Sequence, residues 1–163
     1  MNHTCPVGGE RALTPGETTL VRSVFGDAID CARVRIRRRR WFPFQPRRVT
    51  MAPMGHLHFH PRGSSYCDDF SQAGAHLQGH FIHEMTHVWQ VQKHGLWYLI
   101  LRRPFSRRYD YSLKPGWPLE KYGIEQQAEI VRHAFLLRNG WRVAGVSDAE
   151  AYALLVNFPG AEG

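Results

Sequence analysis

His83-Glu84-Met85-Thr86-His87 has the form H-E-x-x-H. On an α-helix, residues i and i+4 lie on one face a turn apart, so His83 and His87 can aim imidazole nitrogens at a single Zn²⁺. Glu84 is rotated by about 100° from His83. That sets it beside the metal's open position, where it could take a proton from a zinc-activated water and pass it to a leaving amine. Zinc lowers the pKa of such a water to about 7. The rest of residues 80–90, HFIHEMTHVWQ, is largely apolar, and two histidines and a glutamate within a buried helix need partners. The plain alternative is chance. The chain holds 10 His among 163 residues, and His76, His80, His83 and His87 all fall at helical spacing.

A catalytic zinc site has three protein ligands and an open position. The metzincin continuation needs Gly at 90 and His at 93, where this chain has Gln90 and Lys93. His94 lies seven residues past His87, about 10 Å along a helix axis, whereas a zinc–nitrogen bond is about 2 Å. The candidate third ligand is downstream, in YGIEQQAEIVRHAF. Glu125 and Glu129 are i, i+4 on one helix face, beside an apolar face of Ile124, Ala128, Val131 and Phe135. Glu125 is the ligand candidate, and small Ala128 would let two helices approach closely. Glu129 could accept the second ring N–H of a ligand histidine and so fix its tautomer. The alternative for both is a pair of solvated glutamates on a surface helix.

Hydrolysis also needs a donor to the developing oxyanion, and His133, Tyr122, Tyr109 and Tyr111 are candidates for this transition-state stabiliser. In HLHFH, His56, His58 and His60 share one strand face, either a polar face or a second metal site.

The length suits one domain with one core, and 43% hydrophobic with 21% charged residues excludes a disordered chain. The start, MNHTCPVGGERALTPGE, has no apolar signal-peptide region, and the apolar run 96–101 is too short to span a bilayer. Cys5, Cys31 and Cys67 form no C-x-x-C pair and read as reduced thiols. A cytoplasmic chain is expected, with export by a signal-free route left open. The net charge of +7 concentrates in CARVRIRRRRW and Arg47-Arg48. It fits a solvated strand edge, or a weaker alternative, a contact with nucleic acid or another anionic surface through residues 33–48.

The elements that must position these groups follow from local signals. A helix starts at Thr14, with Pro15 at its first position and Glu17 completing a capping box. ARVRIRRR reads as a strand, and VTMAPMGHLHFHP as one or two more paired with it. The H-E-x-x-H helix runs from about 72 to 93 and stops at Gly95. A long connection covers 96–118, a second long helix covers about 118–138, and a short helix has Ser147 as N-cap and Glu150 three residues on. The expected fold is α+β: a small antiparallel sheet packed with an active-site helix and a second long helix carrying E-x-x-A-E. The expected division is a flexible tail at 1–12, a single domain at 13–158 and a short tail at 159–163.

His83-Glu84-x-x-His87 followed by Glu125-x-x-Ala128-Glu129 resembles the gluzincin metallopeptidase plan, and the size and order are similar to the minigluzincins. This resemblance implies a zincin-like fold, one catalytic Zn²⁺ on His83, His87 and Glu125, and Glu84 as general base for peptide-bond hydrolysis. The residue at 129 is Glu where the plan usually has Asp. The resemblance also implies a strand beside the zinc helix that aligns an extended peptide or protein substrate, for which 54–60, with His56, His58 and His60, is the candidate. LTPGE, SVFGDAID, HFHP, HEMTHVWQ and YGIEQQAEIVRHAFLLR, spread over residues 12–140, resemble bacterial Vgr-related proteins. The layout is also similar to the peptidase-like core domain of extracellular contractile injection systems. That implies an injection-apparatus partner, and an alternative function as a non-catalytic, zinc-stabilised interaction module.

Overall fold

The computed structural model describes residues 4–102 and 108–161. The first helix, α1 (Pro15–Phe25), begins as its sequence demands: the Thr14 hydroxyl accepts from Glu17 N at 3.0 Å, and Glu17 Oε2 accepts from Thr14 N at 2.9 Å. Glu17 does more than cap. It is fully buried and takes both guanidinium nitrogens of Arg11, at 2.7 and 2.8 Å, while Phe70 N donates to its Oε1 at 3.0 Å. One carboxylate therefore ties together α1, the segment before it and the loop before the H-E-x-x-H helix. Losing it strands a buried guanidinium, so Glu17→Ala is expected to destabilise the fold by about 3–5 kcal/mol in denaturant unfolding. A change below about 1 kcal/mol would show that this ion pair is not a structural anchor.

The sheet is small and mixed, not antiparallel throughout. Its order is β1 (Glu10–Arg11), β2 (Ile36–Arg37), β3 (Leu57–His58); β1 and β2 run antiparallel, β2 and β3 parallel. The 19 residues at 38–56 supply the long crossover that parallel neighbours require. The arginine-rich strand lies in the middle of the sheet, not at an edge, because residues 10–11, expected to belong to a loose tail, pair with it. Glu10 on β1 meets both Arg37 and Arg39 at 3.0 Å. A bridge from Met51 to His58 extends the far side of β3.

Ile36 and Leu57 face the core and are fully buried, as period-2 alternation predicts. Phe59, Phe70 and Phe81 stack beneath them, with centroids 5.4 and 4.8 Å apart, and join the sheet to α2 (Ala75–His94). Gly95, at φ 93°, ends α2 in a conformation that side chains disfavour. The short α3 (Trp97–Arg102) follows; the 96–118 connection then passes through 103–107, outside the described residues.

The second long helix, α4 (Ile124–Arg138), starts later than expected, after a 3₁₀ turn at Leu119–Lys121. α4 packs along α2 with Ala128 fully buried. The helices approach closely at Gly79, where an added Cβ would sit 3.2 Å from Leu136 Cδ2 and 3.3 Å from Arg132 Nε. The last helix, α5 (Ala149–Leu155), is capped by Asp148, not Ser147: the Asp148 carboxylate accepts from Ala151 N at 2.9 Å. The fold is thus α+β, with α2 held between sheet and α4.

Candidate metal centre

α2 and α4 bring His83, His87 and Glu125 together. Their donor atoms lie within 4.8 Å of one another, and all three residues are buried. Glu125 Oε2 sits 3.3 Å from His83 Nε2 and 3.1 Å from His87 Nε2, with the two imidazole rings nearly perpendicular. The remaining ring nitrogens are fixed from behind. His83 Nδ1–H donates to Glu129 Oε1 at 2.7 Å, and His87 Nδ1–H donates to Gln90 Oε1 at 2.9 Å. Both hydrogen bonds turn Nε2, the nitrogen that would be offered to a metal, toward Glu125.

In the sequence, Gln90 shows only as the residue that breaks a metzincin continuation. Its i+3 spacing from His87 on one helix is the available signal. It also locks the two helices, since Gln90 Nε2 donates to Ile124 O at 3.0 Å and to Gln127 Oε1 at 2.9 Å.

Glu129 gathers several donors. Besides His83 it receives Arg132 Nη1 at 3.3 Å, and His133 Nε2 lies 3.4 Å from its second oxygen. His133 Nδ1 is bonded to the Tyr111 hydroxyl, which meets Tyr152 Oη at 2.6 Å. His133 and Tyr111 therefore stand behind the site, supporting Glu129. Tyr122 also lies elsewhere: buried, it accepts from Lys114 N at 2.8 Å and packs on Trp117. Of the four stabiliser candidates, Tyr109 borders the cleft directly, its ring 6.2 Å from that of His83.

The electrostatics follow from this packing. Burial alone would lower the pKa of His83, but hydrogen bonds to Glu125 and Glu129 outweigh it and raise it to about 9. Burial would raise Glu125 and Glu129, yet hydrogen bonds from the histidines hold both well below the usual carboxylate range. His80 and His133 shift downward, chiefly by burial.

Glu84 is buried beside the cluster, and its Oε2 has no hydrogen-bond partner among the described residues. It faces a cleft of about 320 Å³, bordered by Arg48, Thr50, His80, Tyr109 and Arg132 as well as the three clustered residues. A larger cavity, about 1040 Å³, lies apart from this chemistry, among Trp89, Trp117 and Phe158. Along the histidine stripe of α2, His76 is exposed and His80 Nε2 shares a 2.7 Å hydrogen bond with Thr50 Oγ1.

His56, His58 and His60 do not border this cleft; the segment that does so is 48–50. His58 pairs across the sheet with Arg37 and is buried, with neither ring nitrogen bonded among the described residues. Burial, then the Arg37 charge, lowers its pKa to about 4, and cationic neighbours of this kind disfavour a second metal there. The unfolded chain takes up this proton near pH 6.5, whereas the folded protein resists it until about pH 4. His58 therefore contributes stability above pH 6.5 that is lost as pH falls toward 4. His58→Leu is expected to remove about 2 kcal/mol of the stability difference between pH 7 and pH 5, measured by urea unfolding. An equally steep loss in the variant would rule this out.

No family model matches the chain. The type VI secretion system spike protein VgrG2b of Pseudomonas aeruginosa is 43% identical over 158 residues, which cover 91% of this chain and 15% of that protein's length. The solved effector domain of Pseudomonas aeruginosa VgrG2b superposes with a TM-score of 0.74 at 39% identity, over 90% of this chain and 83% of that domain. Identity and shape agree over nearly the whole of both folds, and on that ground the chain belongs to the VgrG2b effector-domain family.

Proposed function

We propose that this domain is a zinc-dependent, metallopeptidase-like effector that works with a type VI or related contractile injection apparatus. The observation that carries the catalytic half is the convergence of His83, His87 and Glu125 beside the unpartnered Glu84 Oε2. The donor set fits zinc: two imidazole nitrogens, each oriented through a bonded Nδ1–H, and one carboxylate oxygen. Zinc bound there supplies Lewis-acid polarisation of a carbonyl and acidifies a water molecule.

The chain's own groups do the rest. Glu84 Oε2 accepts a proton from the attacking water while the water oxygen bonds to the carbonyl carbon. As the C–N bond breaks, Glu84 returns that proton to the departing nitrogen. Glu129 and Gln90 keep the imidazoles turned inward, and Tyr109, which borders the cleft, is the donor we assign to the developing oxyanion. The test is incubation of zinc-loaded protein with a peptide mixture, reading new termini by mass spectrometry. Cleavage abolished by a chelator is expected; intact peptides with zinc bound would contradict the catalytic half.

The association half rests on the relative, which is a spike protein of a type VI secretion system. It supports a second reading equally well: the same zinc-stabilised domain acting without catalysis, as an interaction module on the apparatus. A chain that retains its partner and its cellular effect when Glu84 is replaced would favour that reading. On either reading we place the domain in the cytoplasm before the apparatus carries it out. No helix among the described residues is long and apolar enough to cross a membrane.

A further inference from the structure

Two arginines, Arg48 and Arg132, border the cleft that holds Glu84. Arg132 extends from α4 one turn beyond Glu129, on the same side of the helix. Its Nε is buried against α2, at the spot where Gly79 offers no side chain, and has no partner among the described residues. The Nη1 is 3.3 Å from Glu129 Oε1. Arg48 is exposed at the start of the 48–50 segment that borders the cleft. Met51 N and O both bond to His58, at 3.1 and 2.7 Å, which ties the segment beside the cleft to β3. Thr50 itself borders the cleft.

The charge balance is the informative part. The carboxylates of Glu84, Glu125 and Glu129 are matched against a divalent cation and two arginines, which leaves the occupied cleft net positive. In a half-enclosed space such a field favours an anionic group and repels a lysine or arginine. The Arg132 guanidinium, tied to Glu129 through Nη1, also offers the fork geometry that suits a planar carboxylate.

We propose that Arg48 and Arg132 select substrates bearing a carboxylate near the cleaved bond, so that the cleft prefers acidic peptides. This rests on the hydrolytic reading above and names its substrate class. The carboxylate could come from a Glu or Asp side chain or from a free C-terminus.

The test uses binding, so that it is separate from turnover. Zinc-loaded Glu84→Gln protein is titrated by calorimetry with matched peptides in which one Glu, Gln or Lys is moved along the sequence, each with a free or an amidated C-terminus. Glu is expected to bind about tenfold more tightly than Gln at one or two positions, the size of a single charge-assisted hydrogen bond. If amidation rather than Gln substitution removes the gain, the carboxylate is the C-terminal one. Arg48→Glu, a change at an exposed residue, should erase the preference or invert it toward Lys. Arg132→Gln should weaken it further, with circular dichroism confirming the fold. Equal binding of Glu, Gln and Lys peptides, no binding of any, or a preference untouched by Arg48→Glu would overturn the proposal. Cleavage of the peptide mixture judges the hydrolytic reading independently.

Discussion

Replacing Glu125 by alanine is expected to lower zinc affinity by about a hundredfold or more, with the fold intact. Glu125 Oε2 approaches both Nε2 nitrogens, at 3.3 and 3.1 Å, and it brings the carboxylate of the donor set. Without it two imidazoles remain, and a site that loses one of its protein ligands forfeits a large share of a binding free energy of about 10–16 kcal/mol. Changes to groups that only orient ligands already reduce affinity by about 10–100-fold, so loss of a ligand sets a higher floor. His83 keeps its hydrogen bond to Glu129, and Gln90 still ties α2 to α4, so the helices should stay packed. The measurement is competition with a chromophoric chelator, with circular dichroism as the control for folding. Zinc bound as tightly by Glu125→Ala as by the wild type would remove Glu125 from the ligand set.

Glu84→Gln is expected to reduce peptide hydrolysis by about 10²–10⁴-fold while zinc stays bound. The amide has the volume of the carboxylate and fits the same buried position, but it cannot accept and return the proton. Glu84 lies outside the cluster of three donor atoms, so the change should leave metal affinity near that of the wild type. Turnover and zinc content measured on the same preparations separate the two effects. Undiminished cleavage by Glu84→Gln would remove Glu84 as the base. If neither protein cleaves although both hold zinc, the domain is the interaction module of the second reading.

Much of the centre is legible in the sequence because its candidate ligands follow helical rules. The i, i+4 spacings of His83 with His87 and of Glu125 with Glu129 state which side chains share a face. Gly95 and the Thr14 capping box mark helix ends that the fold contains. The rest depends on distant segments meeting. Two-residue strands carry no usable periodicity, so neither the parallel pairing of β2 with β3 nor the recruitment of Glu10–Arg11 as a strand leaves a local trace. The segment bordering the cleft is 48–50 instead of 54–60 for a related reason: alternation in HLHFH states the faces of a strand but not which neighbour covers them. Gln90 escapes a search for ligand patterns because its part is to hold the Nδ1 side of the His87 ring. Glu17 reads as a cap, and its burial against Arg11 requires knowing that β1 folds back over α1.

X-ray absorption at the zinc edge of the loaded protein tests the central claim most directly. The account predicts one zinc per chain, a first shell of nitrogen and oxygen only at about 2.0–2.2 Å, and the multiple-scattering signature of two imidazoles. It also predicts the loss of that bound zinc in Glu125→Ala. A shell containing sulfur at about 2.3 Å, a single imidazole, or an unchanged spectrum in Glu125→Ala would contradict it.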